Sequence, residues 1–96
     1  MYARTSSWSG STEALEKWAK QTAGSVAPMV AALDGNAGAY FFVDRDGGRA
    51  LTLTLWKTEA AALASDATAE QSRERTTAAT GVELLERGRY EVVAKV

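Results

Sequence analysis

The chain contains neither cysteine nor histidine among its 96 residues. The absence of cysteine excludes disulfides, thiol chemistry and thiolate metal sites. The absence of histidine removes the commonest metal ligand, the commonest general base and the usual proximal ligand of a heme iron. Ser6 and Ser7 therefore have no histidine partner, which excludes a serine triad. Any chemistry of this protein has to rest on other side chains.

Strong net charge and long apolar runs are also missing. The net charge is −1 at pH 7, so no broad positive field exists to attract nucleic acid or an anionic membrane. No apolar run approaches the length that spans a bilayer. The first residues, MYARTSSW, lack the basic start and apolar core of a secretory signal. The sequence predicts a cytoplasmic protein that binds neither nucleic acid nor membrane.

The remaining composition is that of one small globular domain. With 46% hydrophobic and 24% charged residues, the chain fits a single domain, residues 1–96, with one core. The carboxylates Asp34, Asp44 and Asp46 sit at turn positions without the paired spacing of a metal or glycosidase site. We expect no metal site.

The first part of the chain predicts a strand followed by a long helix. Tyr2–Trp8 is β-prone at both ends. Ser11, or the threonine after it, can cap a helix whose apolar residues recur at helical spacing as far as Leu33. Pro28 cannot donate a backbone hydrogen bond to Gly24, so the helix should be bent or interrupted near Gly24.

The central hairpin admits two registers. Its strands, residues 37–45 and 49–57, are joined by a Gly-rich turn. A two-residue turn would place Phe41 opposite Thr52, whereas a three-residue turn with a bulge would place Phe41 opposite Leu53. The second register keeps the aliphatic face unbroken, and we therefore favour it.

A helical region and a final strand follow the hairpin. Thr58 can cap the helix, which should run to about Thr80 in two pieces parted near Ser65–Asp66. Gly81 stops it, and the last strand begins at about Arg87. The order strand, helix, strand, strand, helix, strand specifies an α+β ferredoxin-like βαββαβ sandwich, in which helices cover one face of an antiparallel four-stranded sheet.

The hairpin strand RALTLTLWK raises the question of what covers its second face, since it carries no charge between Ala50 and Trp56. Its leucines are expected to face the helices, which cannot also cover the alternate residues. The bare face would then carry Tyr40, Phe42, Thr52, Thr54 and Trp56. An apolar patch of this size usually marks an interface, so we expect an isologous homodimer that buries roughly 1,600 Å² or more and forms a dimeric α/β barrel. The interface candidates are Phe42, Thr52, Thr54 and Trp56.

The central stretch LDGNAGAYFFVDRDGGRALTLTLWKTEAAALAS resembles the antibiotic biosynthesis monooxygenase-like domains of the dimeric α/β-barrel superfamily. The similar features are a Gly turn after the first helix, an aromatic strand, a Gly-rich hairpin, a strand ending in Leu-Trp and a Thr helix cap. The element order extends the likeness over nearly the whole chain. The resemblance implies the fold and the dimer, and it leaves the activity open because the superfamily includes oxygenases, heme degraders, isomerases and members without a known reaction.

The resemblance implies two main hypotheses for function. In the first, the protein is a monooxygenase of an aromatic or quinol-type molecule that needs no cofactor, because the bound, deprotonated substrate itself hands an electron to oxygen. The protein would then bind a flat ring, stabilise its anion and exclude water. In the second, it is a non-catalytic ligand carrier or interaction module. A heme-binding member is disfavoured because the family's heme degraders use a ligand histidine.

Five residues are candidates for lining the ligand pocket: Arg4, Trp8, Trp18, Tyr40 and Trp56. Trp18 lies on the buried stripe of the first helix and is either a pocket wall or plain core. Trp56 is either a pocket wall or an interface anchor, and Tyr40 either presents a hydroxyl to the ligand or belongs to the interface. Arg4, on the central strand, either holds a phenolate or carboxylate, or forms an ion pair across the dimer or at the barrel rim. Space between Trp18 and the sheet for one aromatic ring is the condition for the catalytic hypothesis.

Overall fold

The computed structural model describes Met1–Val96 and consists of one four-stranded sheet with helices packed on one side. The strand order is β2-β3-β1-β4, and every neighbouring pair is antiparallel. This arrangement confirms the predicted α+β ferredoxin-like βαββαβ fold. The elements in chain order are β1 (Tyr2–Ser9), α1 (Thr12–Gln21), a π-helical turn (Thr22–Val26), α2 (Ala27–Ala31), β2 (Asn36–Asp44), β3 (Arg49–Trp56), α3 (Glu59–Ala64), α4 (Asp66–Thr80) and β4 (Glu83–Glu91).

The predicted interruption of the first helix takes the form of the π-helical turn. Ser11 caps α1, its Oγ accepting a hydrogen bond from the backbone N–H of Ala14 at 3.1 Å. The π turn ends where the N–H of Ala27 reaches the carbonyl of Thr22, one residue further back than in an α-helix. Pro28 then lies in the first turn of α2, where a missing N–H is tolerated. The widened turn therefore lets the helix pass the proline.

The second helical region breaks where the sequence predicts. Thr58 caps α3, and its Oγ1 accepts a hydrogen bond from the N–H of Ala61 at 3.1 Å. Ser65 separates α3 from α4, and Gly81 ends α4 in the left-handed conformation with φ of +83°. β4 begins at Glu83, earlier than predicted, because it also pairs with the end of β1 beyond a register shift. No helix combines the length and the apolar composition needed to cross a bilayer.

The hairpin has the register that the sequence analysis rejected. Phe41 pairs with Thr52 and Val43 pairs with Ala50, with four residues between Asp44 and Arg49. The side-chain period of a strand is two, so this change of parity moves every residue of β3 to the opposite face. The leucines of β3 face away from the helices, and its threonines and Trp56 face toward them.

The predicted interface role of Thr52, Thr54 and Trp56 is therefore wrong. These residues lie on the inner face of the sheet, under the helices, and Trp56 is only 1% exposed. Two physical reasons account for the error. Trp56 offers more apolar area for burial than any leucine of the strand. The threonines border a cavity, where their hydroxyl groups do not have to enter a dry core.

The outer face of the sheet carries the residues that the helices leave uncovered. Phe42 lies there as predicted, stacked on Tyr40 with ring centroids 6.0 Å apart and an interplanar angle of 17°. Tyr40 is 60% exposed, Phe42 47% and Leu51 39%. The bare apolar face therefore exists, but its strand β3 contributes leucines rather than threonines. The members that we call the outer patch are Tyr40, Phe42, Leu51, Leu53 and Leu55.

Candidate functional site

The chain's three tryptophans line a single cavity between the inner face of the sheet and the helices. Trp8 lies at the end of β1, Trp56 at the end of β3 and Trp18 on α1, and each is 3% exposed or less. Because β1 and β3 are antiparallel neighbours, the two strand tryptophans sit at opposite ends of the sheet. We call this space the tryptophan cavity.

The indole N–H groups of the two strand tryptophans differ in their pairing. Nε1 of Trp56 donates to Oγ1 of Thr54 at 3.0 Å. Nε1 of Trp8 is buried and has no hydrogen-bond partner. An unpaired buried donor costs about 1–3 kcal/mol. Trp8 also packs in the main core cluster with Leu15 and Trp18, so it forms one wall of the cavity and part of the core at once.

Arg4 crosses the floor of the cavity and is tied to the junction of α3 and α4. Its guanidinium donates to Oγ of Ser65 at 2.5 Å and to the carbonyl of Ala62 at 2.6 Å, and it forms an ion pair with Asp66. The guanidinium carbon also lies 5.8 Å from the centroid of the Trp56 ring, within range of a cation–π contact. Arg4 is therefore paired within its own chain, and no dimer contact is needed to satisfy it.

Helix α4 closes the cavity with polar rather than apolar side chains. Its inward residues that line the cavity are Thr68, Ala69, Ser72, Arg73 and Thr76. The helix contains no leucine, isoleucine, valine, methionine or aromatic residue. It therefore offers little apolar area for burial against the sheet.

Arg73 connects the cavity to a second, charged space. A cleft of about 360 Å³ lies between α4 and β4, and both Arg4 and Arg73 line it as well as the tryptophan cavity. We call it the arginine cleft, and its charged residues are Arg4, Asp66, Glu70, Arg73, Arg87 and Arg89. Burial lowers the pKa of Arg73, and the nearby positive charges of Arg87 and Arg4 lower it further.

The tryptophan cavity is narrow in this conformation. The space open to the centre of a water molecule amounts to about 60 Å³, and all of the empty space around it, solvent at the mouth included, to about 580 Å³. A cavity known to hold a benzene ring measures about 150 Å³. The space between Trp18 and the sheet therefore exists, but a ring can occupy it only if the walls separate.

The structure brings together four of the five predicted pocket residues. Arg4, Trp8, Trp18 and Trp56 line the cavity. Tyr40 does not: it lies on the outer face, because the strand alternation that turns Phe41 inward turns its neighbours outward. Their role in binding a ligand stays a prediction. No group of three or more carboxylates is arranged to hold a metal ion.

Sequence reasoning missed the polar side of the cavity. The sequence analysis places Thr52 and Thr54 on the wrong face and identifies none of the inward polar residues of α4 as part of the cavity. One signal was available for Arg73: the segment DATAEQSRERTTAAT has no apolar stripe, so some polar residues of that helix had to face the sheet.

Comparisons with known proteins concern the fold. No protein-family model matches the sequence, and no curated protein matches it. Among solved structures, a Deinococcus radiodurans protein assigned to the antibiotic biosynthesis monooxygenases is similar with a TM-score of 0.80 and 17% identity, over 100% of this chain and 96% of the other. The ActVA-Orf6 monooxygenase of Streptomyces coelicolor, in complex with nanaomycin D, is similar with a TM-score of 0.76 and 13% identity, over 99% of this chain and 89% of the other.

A third similar structure is a heme degrader. MhuD from Mycobacterium tuberculosis, with two hemes bound in its active site, gives a TM-score of 0.68 at 23% identity, over 100% of this chain and 99% of the other. Identities this low establish a common architecture and leave the reaction open. This chain has the ferredoxin-like fold of the antibiotic biosynthesis monooxygenase-like proteins.

Proposed function

We propose that the protein binds a flat aromatic molecule in the tryptophan cavity and oxygenates it without a cofactor. One observation carries this proposal: all three tryptophans of the chain converge on one cavity that Arg4 and Arg73 also line. Indole rings stack on flat aromatic ligands, and guanidinium groups stabilise the negative charge that develops on a deprotonated quinol or anthrone. The fold shared with the ActVA-Orf6 monooxygenase supports the same function.

Entry of a ring requires α4 to move outward, since the closed cavity, at about 60 Å³, is smaller than the cavity of about 150 Å³ known to hold benzene. This movement costs little apolar burial because α4 presents threonine, serine and alanine to the sheet. The start of α4 stays fixed through the contacts of Arg4 with Ser65 and Asp66. The helix then acts as a lid that closes over the bound ring and excludes water.

In the reaction that we propose, the atoms and electrons of the anthrone and O₂ balance. An anthrone has a CH₂ group that becomes a carbonyl; one atom of O₂ is incorporated there and the other leaves as water. The substrate supplies all the electrons, so no external reductant is needed. The protein's own contribution is to bind the ring, hold it as the anion beside Arg73, and keep bulk water away.

We also propose that the active form is a homodimer joined through the outer patch. The patch combines two stacked aromatic rings with the leucines of β3 and has no charged member. A second copy of the same patch would cover it symmetrically and close the two sheets into a barrel.

A non-catalytic carrier is the second candidate, and the composition of the cavity lining favours it. No histidine or carboxylate lines the cavity to take a proton from a bound substrate. In this case the same residues bind an aromatic ligand, but oxygen is not consumed.

Oxygen uptake with an anthrone, followed in an oxygen electrode with identification of the anthraquinone product, tests the first proposal. The substitution Ala69→Phe fills the cavity from α4 and should reduce uptake to the rate in buffer. Ala67→Phe, on the exposed side of the same helix, is the matched control and should leave uptake unchanged. Circular dichroism checks that both variants are folded. If Ala69→Phe does not fold, Ser72→Leu replaces it, because leucine fills less of the cavity than phenylalanine.

Binding measured by calorimetry under nitrogen separates the two candidates. Binding of the anthrone without oxygen uptake would replace the oxygenase with a carrier. Failure of the wild type to bind any flat aromatic probe would overturn both.

A further inference from the structure

The arginine cleft carries more positive than negative charge. Four guanidinium groups line it, and only Asp66 and Glu70 oppose them. Asp66 is shared, because Oδ1 pairs with Arg4 and Oδ2 accepts a hydrogen bond from Arg89 at 3.0 Å. The surplus is local, since the whole chain has a net charge of −1.

Two of the four guanidinium groups have no carboxylate partner. Arg73 and Arg87 form no ion pair, whereas Arg4 and Arg89 both pair with Asp66. Arg73 is half-buried and Arg87 is exposed. The lowered pKa of Arg73 reflects the same situation, in which burial and neighbouring positive charges disfavour its charge. A small anion between the two groups would relieve this repulsion through charge-assisted hydrogen bonds.

Arg73 lies at the boundary between the arginine cleft and the tryptophan cavity, so one ligand can contact both spaces. We infer that the preferred ligand is an aromatic carboxylate, whose ring occupies the tryptophan cavity and whose carboxylate pairs with Arg73 and Arg87 in the arginine cleft. This inference rests on the proposed function, because the ring has to bind in the tryptophan cavity. It names the ligand class, which the cavity alone leaves open.

The test compares two ligands that differ only in the anionic group. Calorimetry under nitrogen measures the affinity of a naphthohydroquinone and of the same compound bearing one ring carboxylate. The carboxylate should bind about tenfold more tightly or better at low salt, because a paired charge-assisted contact is gained. The preference should shrink at high ionic strength, because the cleft opens to solvent.

Three arginine variants test which side chains cause the preference for the carboxylate ligand. Arg87→Gln, at a position that lines only the arginine cleft, should lower the affinity for the carboxylate severalfold and leave the affinity for the neutral compound unchanged. Arg73→Gln should weaken the binding of both compounds, and that of the carboxylate more, because Arg73 lines both spaces. Arg75→Gln, two residues along α4 and outside the arginine cleft, should retain the full preference. Arg87 is exposed, so its variant should fold even if that of Arg73 does not.

The possible failures are distinguishable. Equal affinity of the wild type for the two compounds would overturn the inference and leave the proposed function in place. An unchanged preference in Arg87→Gln and Arg73→Gln would also overturn it. If neither compound binds, the proposed function fails and the inference fails with it.

Discussion

The indole Nε1 of Trp56 donates a hydrogen bond to Oγ1 of Thr54, two residues earlier on the same strand, at 3.0 Å. Both side chains therefore lie on one face of β3, the face covered by the helices. This pair fixes the orientation of the most buried tryptophan, which is 1% exposed, and it explains why a polar residue is useful on the inner face of the strand.

Removing the acceptor of this pair should destabilise the fold. Thr54→Val keeps the shape of the side chain but leaves the indole N–H of Trp56 without its partner, which should lower the free energy of unfolding by about 1–2 kcal/mol. Urea denaturation at fixed protein concentration measures the change. Thr5→Val, on the outer face of β1 and without a side-chain hydrogen bond, is the control and should lie within about 0.5 kcal/mol of the wild type. Equal effects of the two substitutions would contradict the prediction.

Two glycines should respond to alanine in opposite directions. Gly35 has a φ of +78°, and a Cβ there would meet the Cβ of Ala61 at 2.5 Å. Gly35→Ala should therefore lower the free energy of unfolding by about 2 kcal/mol or more, through backbone strain and overlap. Gly24, in the π turn, has nothing within 4 Å of such a Cβ, and Gly24→Ala should raise stability by about 0.5–1 kcal/mol. Thermal denaturation measures both changes in stability. A Gly24→Ala variant less stable than the wild type would contradict the prediction for Gly24.

The ion pair between Glu16 and Arg45 should make the stability of the fold depend on pH in the acidic range. The hydrogen bond and positive charge of Arg45 lower the pKa of Glu16 in the folded state. A carboxyl with a lowered folded pKa contributes stability above its unfolded pKa of about 4.3, and this contribution is lost as the pH falls through the folded pKa. Glu16→Gln should therefore be less stable than the wild type at neutral pH, with the difference closing at strongly acidic pH.

Melting temperatures measured across this acidic range provide the test. Glu74→Gln, which removes a glutamate that forms no ion pair, should follow the wild-type profile. A constant difference between Glu16→Gln and the wild type at all pH values would show that the pair contributes nothing through titration. The pair is exposed, so added salt should also reduce the difference.

A charge in the outer patch should dissociate the proposed dimer. Leu53 lies on the outer face opposite Tyr40, and Leu53→Glu would bring two like charges into a symmetric apolar contact. Sedimentation should show a dimer for the wild type and a 10.2 kDa monomer for the variant. Leu63→Glu, at an exposed position of α3 outside the outer patch, is the control and should remain dimeric. A wild type that sediments as a monomer at micromolar concentration would overturn the dimer.

The element order could be predicted from the sequence because local signals mark its boundaries. Ser11 and Thr58 cap helices, Gly81 ends one, and the break at Ser65 occurs where it was predicted. These features depend on a few neighbouring residues. The fold follows from their order and from the chirality rules of the chain.

The orientation of β3 could not be predicted with the same certainty. Alternation shows that the leucines share a face, but both parities of the hairpin satisfy it, and the choice depends on burial against helices distant in sequence. The inward position of Arg73 was missed for a related reason. A polar helix residue is normally solvated, and only the arrangement of a whole cavity shows otherwise.

The convergence of the chain's only three tryptophans on one cavity has a spectroscopic consequence. All of the tryptophan fluorescence comes from side chains that line the candidate site, because no tryptophan lies elsewhere. The intrinsic tryptophan fluorescence of the unlabelled wild type therefore reports on this cavity alone. Quenching of the emission, or a shift of its maximum, would reveal a bound ligand without background from tryptophans elsewhere in the molecule.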